Sequence, residues 1–162
     1  MNTSSERPAD DIEKTIERYG DMLYRMCFIM LRNEADAEDA VQETMIKYFL
    51  KSPVFKDHEH EKAWLLRVAA NRCRDLLRFR VRHPHIGDET ALQSTSAPAE
   101  CSILDCLTML PGKYRIVLSL YYVEECRIGD IAKAIRRTPS AVKMRLKKGR
   151  ELLAEVYRKE QM

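Results

Sequence analysis

The chain has 162 residues, of which 45% are hydrophobic and 33% are charged, and its formal net charge is +3. This length suits one domain of common size or two small ones. No apolar run approaches the ~20 residues that a membrane span needs, and the N-terminus lacks the basic-then-apolar layout of a signal peptide. We therefore expect a cytoplasmic protein without a membrane span.

The charges are unevenly distributed along the chain. Residues 1–82 hold 15 basic and 15 acidic side chains, residues 83–100 hold 3 acidic and no basic ones, and residues 101–162 hold 13 basic and 7 acidic ones. A basic excess confined to the last segment indicates that this segment binds nucleic acid.

Few residues are arranged for chemistry. The five cysteines include no CxxC pair and are typical of buried free thiols. His58 and His60, like His83 and His85, have no cysteine ligands nearby, and no glycine-rich phosphate loop or nucleophile–base pair stands out. The sequence therefore predicts no catalytic residue, no metal ion and no cofactor, and it gives no argument for an enzyme.

Taken in order, the chain begins with polar and small residues at 1–9, which we expect to be disordered. An amphipathic helix follows from Asp10 to about Leu31. Asn33 is a candidate N-cap for the next helix.

The segment Glu34–Leu50 predicts a second helix with one apolar and one acidic face. Acidic residues near a helix N-terminus favour the macrodipole, which accounts for part of this pattern. It does not account for Ile46, an exposed apolar residue within the acidic face. We therefore predict a protein-docking surface formed by Asp36, Asp39, Gln42, Glu43 and Ile46.

Residues 51–60 contain Ser52-Pro53 and predict a loop, after which Glu61–Val81 predicts a long helix. Its polar face displays Trp64, Arg67, Asn71, Arg74, Asp75 and Arg78. Tryptophan among arginines is typical of surfaces that stack on bases and hold phosphates in single strands. Alternatively, Trp64 packs under a neighbouring helix and the arginines are solvated; the sequence favours neither interpretation.

Residues 83–100 lack basic and aromatic side chains and predict a linker between two domains. Beyond it, Ser102–Leu110, which carries the apolar residues Ile103 and Leu104, and Pro111 to about Val123, with Tyr121 in its core stripe, predict two helices. With no strand signal, the predicted fold is all-α: two small helical domains joined by a flexible linker, the second ending in a helix-turn-helix.

That motif lies in RIGDIAKAIRRTPSAVKMRLKKGRELL, residues 127–153. Thr138 is a hydroxyl N-cap and Pro139 suits the first helical position, so a second helix begins there after a short turn. Val142, Leu146, Gly149 and Leu153 share one side of this helix, whereas Ser140, Lys143, Met144, Lys147 and Lys148 share the other. Between Lys133 and Arg150 there are eight basic and no acidic residues, which favours a phosphate-binding surface over a merely solvated helix.

The ordered set DAEDAVQETMIKYF (36–49), KAWLLRVAANRCRDLLRFR (62–80), a polar linker, LPGKYRIVLSLYYVEE (110–125) and the helix-turn-helix resembles the extracytoplasmic-function (ECF) sigma factors of bacterial RNA polymerase. The resemblance covers residues 10–158. It implies that residues 10–82 form sigma region 2, which binds the beta-prime clamp helices of core RNA polymerase and reads and melts the −10 promoter element. Residues 101–162 would form sigma region 4, which binds the beta flap and reads the −35 element.

The resemblance also implies roles for individual residues. Asp39, Gln42 and Glu43 match the polymerase-docking face, and the loop at 51–60 matches the one that captures a flipped −10 base. Asn71, Arg72, Asp75 and Arg78 match the family's −10 helix, and Lys143, Arg145 and Leu146 match its −35 run. With the residues that periodicity and capping place beside them, those expected at the −10 element are Trp64, Arg67, Asn71, Arg72, Arg74, Asp75 and Arg78. Those expected at the −35 element are Thr138, Ser140, Lys143, Met144, Arg145, Lys147 and Lys148.

Three residues depart from the family pattern: Arg136 stands where glycine is usual, Arg137 where an apolar residue is usual and Met144 where serine is usual. The resemblance further implies an anti-sigma factor as a partner. Two other classes compete with this interpretation. One is a stand-alone helix-turn-helix transcriptional repressor, and the other is an interaction protein that blocks polymerase without reading DNA.

Overall fold

The computed structural model describes residues 9–83 and 102–161, which fall into two compact units. Throughout these described ranges the regular secondary structure is helical, so the predicted all-α fold is confirmed. Apart from Ala9 and His83, the predicted disordered N-terminus and the predicted linker lie outside the described residues.

The first unit consists of three helices: α1 (Ala9–Leu31), α2 (Glu34–Lys51) and α3 (His58–Arg82). The turn between α1 and α2 contains Arg32 in the left-handed region, with φ 54°. Asn33 then caps α2 as predicted, because its Oδ1 accepts a hydrogen bond from the Asp36 amide at 2.9 Å. The core is made of fully buried side chains, including Leu23, Met26, Cys27, Ala40, Tyr48, Leu65, Ala69 and Cys73.

α3 begins three residues before the predicted position, at His58 rather than Glu61. The reason is an N-cap that the sequence analysis missed: Asp57 Oδ1 accepts a hydrogen bond from the His60 amide at 2.8 Å. The loop is correspondingly shorter than predicted and comprises residues 52–57.

Polar contacts tie the three helices together. The Tyr48 hydroxyl donates to Glu61 Oε2 at 3.0 Å and lies 3.0 Å from Thr15 Oγ1. At the other end of the unit, Arg80 donates to the Leu31 carbonyl oxygen at 2.8 Å and forms an ion pair with Asp36. These contacts fix the orientation of α3 on the α1–α2 hairpin.

The second unit contains α4 (Ile103–Thr108), α5 (Gly112–Leu118), α6 (Ile128–Ile135) and α7 (Pro139–Glu160). A capping box between Ser102 and Asp105 starts α4. Beyond α5 the chain continues as a π-helical turn at Ser119–Val123. The core includes Cys106, Leu107, Val117, Leu118, Leu120, Ile131, Val142 and Leu146.

The π-helical turn makes one prediction wrong. A regular helix through Val123 would place Tyr121 in the core, but Tyr121 is 36% exposed. A π-helical turn has a wider hydrogen-bond spacing than an α-helix, so it rotates the following residues around the axis. Ile103 and Leu104, two apolar residues of α4, are more than half exposed.

Among the described residues, no helix is both long and apolar enough to cross a membrane.

Candidate protein and nucleic-acid interfaces

The helix-turn-helix is formed by α6 and α7. α6 ends at Ile135, and Arg136 follows with φ 55° in the left-handed region. Thr138 Oγ1 accepts a hydrogen bond from the Ala141 amide at 3.1 Å, and Pro139 is the first residue of α7. The predicted break and the predicted start of the second helix are therefore confirmed.

Three of the four residues predicted on the packed side of α7 are buried, and the fourth, Leu153, is half-buried. Val142, Leu146 and Gly149 are buried, and Gly149 allows close packing because a Cβ there would lie only 3.0 Å from Leu118 Cδ1. The opposite face is exposed and is formed by Ser140, Lys143, Met144, Lys147 and Lys148. We call these five residues the basic face. Within the described residues, no ion pair involves its three lysines.

Two residues predicted at the −35 element, Thr138 and Arg145, also interact with other parts of the second unit. Thr138 is exposed, but its hydroxyl oxygen caps α7, so it also stabilises the helix. Arg145 is half-buried; burial lowers the pKa of its guanidinium, nearby Arg137 lowers that pKa further, and Tyr114 opposes the shift. Arg145 therefore lies at the edge of the basic face, beside the turn.

The predicted docking surface on α2 divides into two groups. Asp39, Gln42 and Ile46 are exposed, with Ile46 at 56%. By contrast, Asp36 pairs with Arg80, and Glu43 Oε2 lies 2.6 Å from Arg72 Nε. Two of the five residues thus form ion pairs with α3.

On α3 the predicted −10 residues other than Arg72 share one face. Arg67, Asp75 and Arg78 are exposed, whereas Asn71, Arg72 and Arg74 are half-buried. Arg74 donates to Asn71 Oδ1, and Arg78 lies 3.9 Å from Asp75. Arg72, through its pair with Glu43, connects α3 with α2.

Trp64 packs in an aromatic cluster with Tyr48, Phe55 and His60. Its ring centroid lies 5.8 Å from that of Phe55 and 6.2 Å from that of Tyr48. Phe55 also contacts His60, at 5.2 Å between centroids. Trp64 therefore packs against Tyr48 of α2 and Phe55 of the loop, in agreement with the interpretation that it is packed rather than available for stacking on bases. The cluster anchors the 52–57 loop.

His60 gives this loop a second contact, because the Lys56 amide donates to its Nδ1 at 3.2 Å. Sequence analysis missed the loop roles of Phe55 and His60. The recurrence of ring-bearing residues at Phe55, His60 and Trp64 is the sequence feature that could have predicted this cluster.

An apolar groove in the second unit was also missed. It has a volume of about 480 Å³. Its lining includes Ile103, Leu104, Tyr122, Val123, Leu153 and Tyr157. At its rim Arg150 donates to the Tyr122 hydroxyl at 3.0 Å. An exposed apolar groove of this kind is typical of surfaces that receive a partner helix.

A helical unit with an exposed acidic face, and a second unit presenting a basic helix-turn-helix, define a DNA-binding transcription factor. The family models give its class. The sigma-70 region 2 model matches residues 15–83 and the sigma-70 region 4 model matches residues 102–153. The chain belongs to the sigma-70 family and is an ECF sigma factor, which confirms the resemblance seen in the sequence.

Individual relatives agree with this assignment. The ECF RNA polymerase sigma factor SigW of Bacillus subtilis is 26% identical, over 92% of this chain and 90% of its own length. The RNA polymerase sigma factor CarQ of Myxococcus xanthus is 28% identical, over 91% of this chain and 89% of its own length.

Two solved structures share the fold. The sigma factor RpoE, crystallised with the anti-sigma factor NepR from Bartonella quintana, matches with a TM-score of 0.75 and 22% identity, over 93% of this chain and 98% of that one. CnrH in complex with the cytosolic domain of CnrY matches with a TM-score of 0.62 and 22% identity, over 92% of this chain and 88% of that one.

Proposed function

We propose that this ECF sigma factor divides promoter recognition between its two units. Residues 10–82 would dock on the beta-prime clamp helices of core RNA polymerase and open the −10 element. Residues 101–162 would bind the beta flap and read the −35 element. One contrast carries the proposal: the exposed part of the α2 surface combines the Asp39 carboxylate with the apolar side chain of Ile46 and suits a protein partner, whereas the basic face of α7 has no acidic neighbour between positions 133 and 150 and suits DNA.

At the −35 element, the basic face enters the major groove of duplex DNA. Lys143, Lys147 and Lys148 neutralise phosphates and supply affinity, whereas Ser140 and Met144 face base edges and supply selectivity. Met144 is 73% exposed. Its thioether accepts hydrogen bonds only weakly and offers an apolar contact, which suits the methyl group of thymine.

At the −10 element, strand separation is stabilised by binding the open state. The Asn71 and Arg74 side chains hold one another on α3 and present polar atoms toward the exposed edge of the helix. The 52–57 loop receives an unstacked base, and Trp64 supports the loop from beneath through Phe55. Holding unpaired bases offsets the cost of unstacking them.

Neither unit offers a large DNA surface by itself. Tethering both to polymerase raises the effective concentration of each at its promoter element. The free protein therefore binds DNA weakly, and the holoenzyme binds promoters tightly. Polymerase performs the catalysis, and this chain supplies selection and melting in the cytoplasm.

The apolar groove of the second unit supports a further partner. A groove of this volume accepts the apolar face of a short helix, and the beta flap and an anti-sigma factor are the partners proposed for it. One similar solved structure holds the sigma factor RpoE in complex with the anti-sigma factor NepR, and the other holds CnrH in complex with the cytosolic domain of CnrY. We find no observation that favours the stand-alone repressor.

The test is gel filtration of the full chain with bacterial core RNA polymerase, followed by run-off transcription. We expect co-elution and transcripts that depend on the chain. Co-elution without transcripts would indicate a protein that blocks polymerase. Separate elution at high micromolar concentration would contradict the proposal, and a search for a dimer and a palindromic site would follow.

A further inference from the structure

The turn of the helix-turn-helix contains two arginines where its backbone favours other residues. The Arg137 amide donates to the Ala132 carbonyl oxygen at 3.0 Å, and Arg136 adopts φ 55° and ψ 48°. This is the pattern of a Schellman motif, in which the left-handed residue is usually glycine and the following residue usually makes an apolar contact. In this chain arginine occupies both positions.

No side-chain hydrogen bond or ion pair within residues 9–83 and 102–161 explains the arginine at either position. The left-handed conformation is disfavoured for a residue with a Cβ, yet the Arg136 side chain is exposed, as is that of Arg137. Two other described residues have a positive φ: Arg32, whose side chain is half-buried, and Glu125, which is exposed, so the succession of Arg136 and Arg137 rather than the positive φ alone distinguishes this turn. Within the described residues, neither turn arginine forms an ion pair. Two successive departures from local preference without internal compensation are typical of functional positions.

The electrostatic surroundings identify the ligand. Both arginines directly precede Thr138, the cap of α7, and therefore adjoin the basic face. Arg137 lies close enough to Arg145 to lower the pKa of that guanidinium. Eight basic and no acidic residues lie between positions 133 and 150. Like charges crowded in this way are stabilised when a polyanion binds beside them.

We propose that Arg136 and Arg137 form a clamp for the backbone phosphates of duplex DNA, at the edge of the recognition helix. The proposal rests on the proposed DNA-binding function of the second unit and adds two residues to it. A planar guanidinium matches two phosphate oxygens at once, which a lysine ammonium does not. Phosphate contacts of this kind fix the register in which α7 presents its side chains to the bases.

The proposal predicts opposite effects on stability and on DNA binding for one substitution. Arg136→Gly relieves the left-handed backbone, so the thermal unfolding midpoint of the second unit rises, by about 4 °C. The same substitution removes a phosphate contact, so the slope of log affinity against log salt becomes shallower by about 0.9. Arg137→Ala reduces the slope similarly, and the double variant reduces it by about 1.8.

The experiment uses the full chain and a fluorescein-labelled duplex of mixed sequence, titrated by anisotropy over a potassium chloride series that starts at low salt. Arg158→Ala is the matched control. It removes one exposed positive charge from the same helix, about 28 Å from the start of α7. Its salt slope stays that of the unchanged chain. Circular dichroism of each variant gives the unfolding midpoint.

The possible outcomes are distinct. A double variant with an unchanged slope overturns the clamp, and so does an Arg158→Ala variant that loses as much slope as Arg136→Gly. If Arg136→Gly is poorly folded, Arg136→Asn takes its place, because asparagine also tolerates the left-handed region. If the unchanged chain shows no salt-dependent binding even at low salt, the DNA-binding function of the second unit fails together with the clamp.

Discussion

The two units use charge in different ways. In the first unit, charged residues predicted to contact polymerase or DNA also connect helices: Asp36 pairs with Arg80 and Glu43 pairs with Arg72. In the second unit, the lysines of the basic face form no ion pair within the described residues. Binding and stability should therefore be coupled in the first unit and separable in the second.

The largest effect is expected on the docking surface, where Asp39 and Ile46 are exposed and can be changed without loss of an interhelical ion pair. Asp39→Lys with Ile46→Ala changes only exposed side chains, so the helical circular dichroism spectrum stays the same. Loss of a charge contact and an apolar contact weakens core polymerase binding by about 100-fold or more. Affinity is measured by titrating labelled chain with core enzyme.

Glu38→Lys is the control, since it reverses an exposed charge on a flank of α2. Equal losses in both variants would show that overall charge, rather than this surface, governs docking.

The second effect concerns stability in the first unit. Arg80→Met removes an ion pair with Asp36 and a hydrogen bond to the Leu31 carbonyl oxygen, both partly buried. We expect the free energy of unfolding to fall by about 2 kcal/mol, measured by urea denaturation. Arg82→Met, at an exposed neighbour, should change it by less than about 0.5 kcal/mol. If Arg80→Met leaves the free energy of unfolding unchanged, the ion pairs of the first unit do not couple binding to stability.

The third effect concerns the basic face, where we expect DNA affinity to change while the stability of the fold stays the same. Lys143→Ala with Lys147→Ala removes two phosphate contacts, so the salt slope becomes shallower by about 1.8 and affinity at moderate salt falls about tenfold. Unfolding should be unaffected, because both side chains are exposed. Lys159→Ala, near the other end of α7, serves as the control. A destabilised double variant would show that binding and stability are coupled in the second unit as well.

The smallest effect measures the coupling across α2 and α3. A double-mutant cycle with Glu43→Gln and Arg72→Gln should give an interaction energy of about 0.5 kcal/mol, because both side chains are partly solvated. Chemical denaturation of the four proteins provides the values. An interaction energy near zero would show that the Glu43–Arg72 pair does not stabilise the first unit, which leaves docking as the expected role of Glu43.

Periodicity and capping rules predicted most of the fold. Apolar spacing located α1 and α2, and Thr138-Pro139 located the start of α7, because these signals are local. The errors have identifiable local causes. A π-helical turn rotated Tyr121 out of the core, and an aspartate cap started α3 early.

The candidate sites were less accessible from sequence. Helical periodicity correctly assigned Lys143, Met144 and Lys147 to an exposed face, since exposure depends on the helix alone. It did not show that Glu43 meets Arg72 or that Phe55 covers Trp64. Those contacts join separate elements, so their geometry depends on tertiary packing.

α7 is a single helix of 22 residues, about 33 Å long. Its N-terminal half carries the basic face, and its C-terminal half supplies Leu153 and Tyr157 to the groove. Between the two halves, Gly149 packs against Leu118, where a Cβ would lie 3.0 Å from Leu118 Cδ1. One continuous helix therefore carries both the basic face and part of the groove lining, so a partner bound in the groove would contact the same element that carries Lys143 and Lys147.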